Sequence, residues 1–158
     1  MSAPASINNP NNSEACEAFF LRALPRSGNY IVSELTVEKK FKNHRANSPR
    51  NAVAKVLEID ANGNDAFFAL ASFREPGTRK SDNVLWVKSF WIDLDCGEDK
   101  ATAGKGYENK RAAVLALQLL CLNNGLPVPT IVDSGGGLHC YWILNQDISA
   151  AEWLPLAK

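Results

Sequence analysis

A chain of 158 residues, 46% of them hydrophobic, has the length of one domain and enough apolar surface to bury a core, which excludes a disordered or low-complexity protein. Its 17 basic residues balance 17 acidic ones, so coating of nucleic acid by bulk positive charge is excluded and any such contact must be local. Cys16, Cys96, Cys121 and Cys140 form no CxxC pair, the start Met1-Ser2-Ala3-Pro4 is neither basic nor apolar, and no apolar run reaches the ~20 residues of a membrane span, so the expectation is a reduced, cytoplasmic protein with no membrane partner.

In chain order, residues 1–12 are rich in Ser, Asn, Pro and Ala and are expected to form a flexible tail. Ser13 then caps a helix with Glu14 and Glu17 in its first turn, ending near Leu24-Pro25. Asn29 to Leu35 reads as a strand, and Ser48-Pro49 has the cap and first-turn chemistry of a helix running to about Glu58. After the turn Asn62-Gly63-Asn64, the aromatic-rich run Ala66 to Phe73 reads as one strand, followed by a loop with Pro76-Gly77 and the basic pair Arg79-Lys80. Val84 to Asp95 is a longer strand. Tyr107 to Asn123 is helical, with Leu115, Leu119 and Leu122 at helical spacing and Gly125 as its stop. Thr130 to Ser134 and Leu138 to Leu144 are two β-rich runs around Gly135-Gly136-Gly137, which is hairpin punctuation, and a last helix starts at Ser149. This order predicts an α+β fold, a mixed or antiparallel sheet with flanking helices, rather than regular βαβ alternation.

Two constellations carry chemistry. In Ser89-Phe90-Trp91-Ile92-Asp93-Leu94-Asp95 a strand period of two puts Trp91, Asp93 and Asp95 on one face and Phe90, Ile92 and Leu94 on the other. The two acidic Cα atoms are then ~6.5–7 Å apart, close enough for both carboxylates to converge on one divalent ion or a pair of ions. Like charges so placed repel, and a bound cation relieves the repulsion. The plainer alternative is a strand end exposing two solvated aspartates.

The second constellation is Ser134-Gly135-Gly136-Gly137-Leu138-His139, in which glycine amides can approach an anion and polar side chains flank the turn. Each glycine costs ~0.5–1 kcal/mol relative to alanine, so three in a row suggest that something must come close to the backbone. His139 alternates with Leu138 and Cys140, which fixes it on a strand beside the turn, where its imidazole can donate to a phosphate or ligate a metal. A glycine-rich hairpin tip beside an ordinary histidine is the alternative. A third feature, the basic stretch Lys39, Lys40, Lys42, His44, Arg45 and Arg50, reads as a solvated loop or a nucleic-acid backbone contact. Trp91, on the acid face, is a candidate stacking platform.

The ordered set Phe90-Trp91-Ile92-Asp93-Leu94-Asp95-Cys96-Gly97, a helix, Gly125-Leu126-Pro127-Val128-Pro129-Thr130, and Ser134-Gly135-Gly136-Gly137-Leu138-His139-Cys140-Tyr141-Trp142 resembles the archaeo-eukaryotic primase superfamily. It is most similar to the primase-polymerase domains at the front of phage and plasmid replication proteins, over about Phe67 to Trp153. The resemblance implies an RRM-like core that performs DNA primase or polymerase chemistry. It implies that Asp93 and Asp95 bind catalytic Mg²⁺ or Mn²⁺. It also implies that Ser134 and His139 contact the phosphates of an incoming NTP or dNTP; the amides of Gly135, Gly136 and Gly137 would add donors to them, and Arg79 or Lys80 positive charge. The implied partners are a single-stranded DNA template and a fused or separate replicative helicase.

Members of that superfamily carry a third acidic motif further along. Here the only acids after His139 are Asp147 and Glu152, which come too soon, so residues 13–158 are expected to be the N-terminal part of a primase-polymerase domain, cut before that motif. Two rival readings use the same residues. In one, a non-catalytic replication module binds nucleic acid through the stretch Lys39 to Arg50; in the other, a metal-dependent glycosyltransferase holds a nucleotide diphosphate at Asp93 and Asp95.

Overall fold

A computed structural model describes residues 10–157 of the chain. The fold is α+β, in two sheets. The elements are α1 (Pro10–Ala23), β1 (Tyr30–Leu35), β2 (Phe41–Ala46), α2 (Pro49–Ala61), β3 (Asp65–Phe68), β4 (Ala71–Phe73), β5 (Val84–Asp95), α3 (Glu98–Thr102), α4 (Lys110–Asn124), β6 (Thr130–Asp133), β7 (Gly137–Ser149) and α5 (Ala150–Leu156). One sheet has the order β2-β1-β3 and the other β4-β5-β7-β6. The chain divides into two compact units, one of residues up to Lys88 and from Leu144 onward, the other of Ser89–Ile143.

In the first unit, β1 pairs antiparallel with both β2 and β3. Tyr30 and Val32 of β1 and Phe68 of β3 share the face on which α1 and α2 bury Phe20, Leu24, Val53, Val56 and Ile59. Phe20 and Phe68 touch with ring centroids 4.5 Å apart. Each such side chain taken out of water contributes ~1.5–3 kcal/mol, so this cluster fixes the register that brings the apolar face inward. α2 starts as the sequence predicts: Ser48 Oγ accepts from the Asn51 N–H, and Pro49 takes the first turn, where its missing N–H costs nothing.

In the second unit, α4 lies against one face of β5 and β7. Ala113, Leu117 and Cys121 pack with Leu138 and Cys140, and Ile92 and Leu94 join them. Asn109 Oδ1 caps α4 by accepting from the Ala112 N–H, and Gly125 ends it with φ +62°. Neighbouring β5 and β7 run in opposite directions, since Asp93 faces His139 while Leu94 lies against Gly137. β6 and β7 form the predicted antiparallel hairpin around the glycines.

Three local expectations differ from the structure, and two features have no counterpart in the sequence reading. The tail expected over residues 1–12 falls largely outside the described residues, and α1 already begins at Pro10 rather than at Ser13. The strand expected over Ala66 to Phe73 is two strands in different sheets, β3 on β1 and β4 on β5; no Gly or Pro marks the break at Ala69-Leu70. The basic stretch is not a loop, because Phe41–Ala46 is an edge strand held by the β1 ladder despite its poor strand formers Lys42 and Asn43. Glu98–Thr102 forms a short unexpected helix with Glu98 and Asp99 in its first turn. Finally, the stripe Leu115, Leu119, Leu122 faces outward and exposed, while Ala113, Leu117 and Cys121 are buried. α4 is apolar all round, so periodicity alone could not choose, and the small residues let the helix approach the strands closely.

Candidate metal and nucleotide site

The end of β5 alternates as its sequence dictates. Ile92 and Leu94 turn toward the α4 core, while Trp91, Asp93 and Asp95 are exposed on the opposite face. That face also carries His139 of β7, whose Nε2 lies 3.6 Å from Asp93 Oδ1. Two residues on, Tyr141 places its hydroxyl 3.3 Å from His139 Nδ1. Burial, then the charge of Asp93, pushes the Tyr141 phenol up to about 12, so the hydroxyl keeps its proton. Tyr141, His139 and Asp93 thus stand in a line of neighbouring polar side chains on this face. Tyr141 was not singled out from sequence, although its i+2 spacing from His139 on a strand was visible.

Asp95 is held differently. Lys100 Nζ, from α3, pairs with Asp95 Oδ1. The Asp95 carbonyl accepts from the Tyr107 N–H at 2.8 Å, and the Gly97 N–H donates to the Tyr107 carbonyl at 2.8 Å, so the segment after β5 folds back onto the strand end. Gly106 allows this approach: a Cβ there would lie 2.6 Å from the Asp95 carbonyl oxygen. Neither Lys100 nor this clamp follows from strand periodicity, which says nothing of what the next loop does.

The glycine turn is tied to the same strand end, because the Cys96 N–H donates to the Gly136 carbonyl at 3.0 Å. Within the turn the Ser134 N–H donates to the Gly137 carbonyl at 3.1 Å. The Gly135 N–H donates to Asp133 Oδ1 at 2.8 Å, and Lys110 Nζ reaches both Asp133 oxygens at 2.7 and 2.8 Å. Lys110, then the Gly135 amide, holds the Asp133 carboxyl below its usual range. The three glycines differ. Gly135 has φ +86°, and a Cβ on Gly137 would collide with the Leu94 carbonyl. A Cβ on Gly136 would meet open space, so neither a close approach nor a positive φ requires glycine there. An open cleft of about 580 Å³ lies beside the turn, lined by Gly97, Asn109, Lys110, Arg111, Gly135 and Gly136 among others.

The second unit therefore brings together Asp93, Asp95, Ser134, Gly135, Gly136, Gly137 and His139. Arg79 belongs to the first unit, exposed in the loop before the turn Ser81–Asn83. The late acids have structural work there: Asp147 Oδ2 accepts from the Arg26 N–H at 2.8 Å, and Glu152 completes a capping box with Ser149 at the start of α5. Among the described residues no group of three or more His, Cys, Asp or Glu side chains converges as a complete metal site. Two carboxylates on one rigid strand nevertheless fit a hard divalent cation that takes its remaining oxygens from water and phosphate.

The chain is 28% identical over 106 residues to a replication protein of Clostridium perfringens, a match covering 66% of this chain and 24% of the relative. It thus spans about a quarter of that relative's length. No family model matches the chain. No solved structure matches it. No helix among the described residues is long and apolar enough to cross a membrane.

Proposed function

We propose that this chain acts in DNA replication and carries the metal- and nucleotide-binding part of a primase-polymerase type nucleotidyltransferase, of the kind found in phage and plasmid replication proteins. One observation carries the reading: Asp93 and Asp95 share the exposed face of a rigid strand, with His139 3.6 Å from Asp93 and the glycine turn hydrogen-bonded to the residue after Asp95. The similarity to a replication protein supports the process, and the order of the motifs supports the chemistry.

In this reading Asp93 and Asp95 hold Mg²⁺ or Mn²⁺. When bound, the ion lowers the pKa of the attacking hydroxyl and neutralises the pyrophosphate that leaves. His139, oriented by Tyr141, donates from Nε2 to a phosphate oxygen of the incoming NTP or dNTP. Ser134 and the Gly136 amide supply further donors at the turn. A single-stranded DNA template and a replicative helicase are the corresponding partners. The test is primer synthesis and extension by the full-length protein. Asp93→Ala or Asp95→Ala should abolish metal-dependent incorporation, whereas normal extension by Asp93→Ala would overturn the assignment.

Lys100 favours a second reading, a replication module that binds nucleic acid without catalysis, because its ammonium already neutralises Asp95. The two separate on Mn²⁺ titration. Catalysis requires that the metal displace Lys100, so Lys100→Ala should tighten Mn²⁺ binding; the module requires that neither protein bind Mn²⁺ at these acids.

A further inference from the structure

The β2-β1-β3 sheet buries one face under α1 and α2, and its register defines what the other face carries. Phe41 stands opposite Leu35, Asn43 opposite Ser33 and Arg45 opposite Ile31, while Phe67 of β3 flanks Ser33 from the other side. Ile31 and Ser33 on the central strand are buried, but Phe41 and Phe67 are 64% and 46% exposed. The two rings touch, with centroids 5.9 Å apart and planes tilted by 47°. Neither ring belongs to the helix-facing core, so the fold itself gives no reason to pair two aromatics in water at this place.

The charges around the pair have one sign in excess. Arg45 and Asn43 are exposed on the same face, and Lys39 lies in the turn of the β1–β2 hairpin beside it, whereas Lys42, opposite Glu34, belongs to the helix-facing side. Among the described residues Lys39, Lys42 and Arg45 form no salt bridge. The nearby acids are largely engaged: Glu38 pairs with Lys40, and Glu34 with His44 and Asn64. Asp65, opposite Leu35, is the acid left exposed on this face. Two cations, Lys39 and Arg45, against one carboxylate, bordering two stackable rings, match a ligand that alternates flat apolar groups with anionic links.

We infer that this face of the first unit is a stacking platform for single-stranded nucleic acid, with Phe41 and Phe67 receiving unpaired bases and Lys39 and Arg45 meeting the phosphates between them. A duplex cannot offer its bases to these rings without unpairing, so the surface selects single strands. DNA and RNA present the same two chemistries. The inference stands on the first unit alone and holds whether or not the acid pair in the second unit is catalytic.

The test is fluorescence anisotropy of labelled oligo-dT, oligo-U and a DNA duplex titrated with the chain in EDTA, without nucleotide, over a series of salt concentrations. Single strands should bind more tightly than duplex, with affinity falling as salt rises, and the DNA and RNA arms show which sugar is preferred. The double variant Phe41→Ala/Phe67→Ala should lose roughly tenfold to a hundredfold in affinity. Phe41→Tyr/Phe67→Tyr, which keeps both rings, should bind as the parent does and guards against a folding defect. Arg45→Ala should weaken binding and lower its salt dependence. Asp93→Ala should leave all of this unchanged, which separates the platform from the acid site. Absence of single-strand binding by the parent, equal binding of duplex, or an alanine double variant that binds normally would overturn the inference and point to a protein partner for the aromatic pair.

Discussion

The two units solve the same packing problem and expose opposite chemistry. In each, helices cover one face of antiparallel strands, α1 and α2 over β1 and β3 in the first, α4 over β5 and β7 in the second. The strand faces turned away from those helices bury Ile31, Ser33 and Tyr141 in part of their area, and what they expose diverges: the first presents Phe41, Phe67 and Arg45, the second Asp93, Asp95 and His139. Period-two alternation leaves the outward residues free of packing duty, so function can be written there without cost to the core. The first face suits an anionic chain of flat bases, the second a cation and the phosphates it bridges.

The largest effect that would break this comparison is on turnover. In the full-length protein, Asp93→Ala and Asp95→Ala should each reduce nucleotide incorporation by roughly a hundredfold to a thousandfold or more, measured by primer extension, with thermal unfolding unchanged because both side chains are exposed. Loss of stability instead of activity would make the acids part of the scaffold. Next comes the glycine turn. Gly137→Ala forces a Cβ into the Leu94 carbonyl and should destabilise by ~1–3 kcal/mol in denaturant unfolding, while Gly136→Ala should leave stability within ~0.5 kcal/mol and weaken only nucleotide binding. If Gly136→Ala binds nucleotide normally, the turn is a hairpin tip and nothing more.

A smaller effect concerns the line behind His139. Tyr141→Phe removes one hydrogen bond of ~0.5–1.5 kcal/mol and should weaken nucleotide binding by roughly three- to tenfold. The change should also appear in the ring nitrogen shifts of His139 by NMR, a readout that a packing defect alone would not move in that way.

The smallest effect is local and pH-dependent. The folded turn favours ionised Asp133, so its contribution is present above the ordinary aspartate range and is lost as pH falls through the lowered folded value. The Gly135 amide shift should therefore titrate below the usual aspartate pKa, and Lys110→Met should move that titration upward. A titration unaffected by Lys110→Met would remove Lys110 from the turn.

Much of this was legible in the residues. Alternation along Trp91 to Asp95 put the two acids on one exposed face, because Ile92 and Leu94 have a core that accepts them, and alternation from Leu138 onward put His139 on a strand beside the turn. The helix α4 was legible from its spacing, but its buried face was not, because a helix largely apolar on all sides gives periodicity nothing to choose between. β2 was hidden because edge-strand residues owe their conformation to the β1 ladder rather than to their own propensity, and with it went the Phe41–Phe67 pair, which exists only through the β1-centred register. The clamp of Tyr107 on Asp95, the Lys100 pair and the Lys110–Asp133 contact join residues across loops whose paths no local pattern encodes. Of the glycine triplet, Gly135 and Gly137 also serve the chain's own geometry, through a positive φ and a close approach to Leu94 that no local pattern shows.

The most direct test of the central claim is calorimetric titration of dNTP and NTP into this chain with Mn²⁺ and with EDTA, repeated with Asp93→Ala and His139→Ala. The account predicts nucleotide binding that requires Mn²⁺, is lost in Asp93→Ala and is weakened in His139→Ala. Binding that ignores EDTA and both substitutions, or no binding at millimolar nucleotide by a chain that circular dichroism shows to be folded, would contradict it.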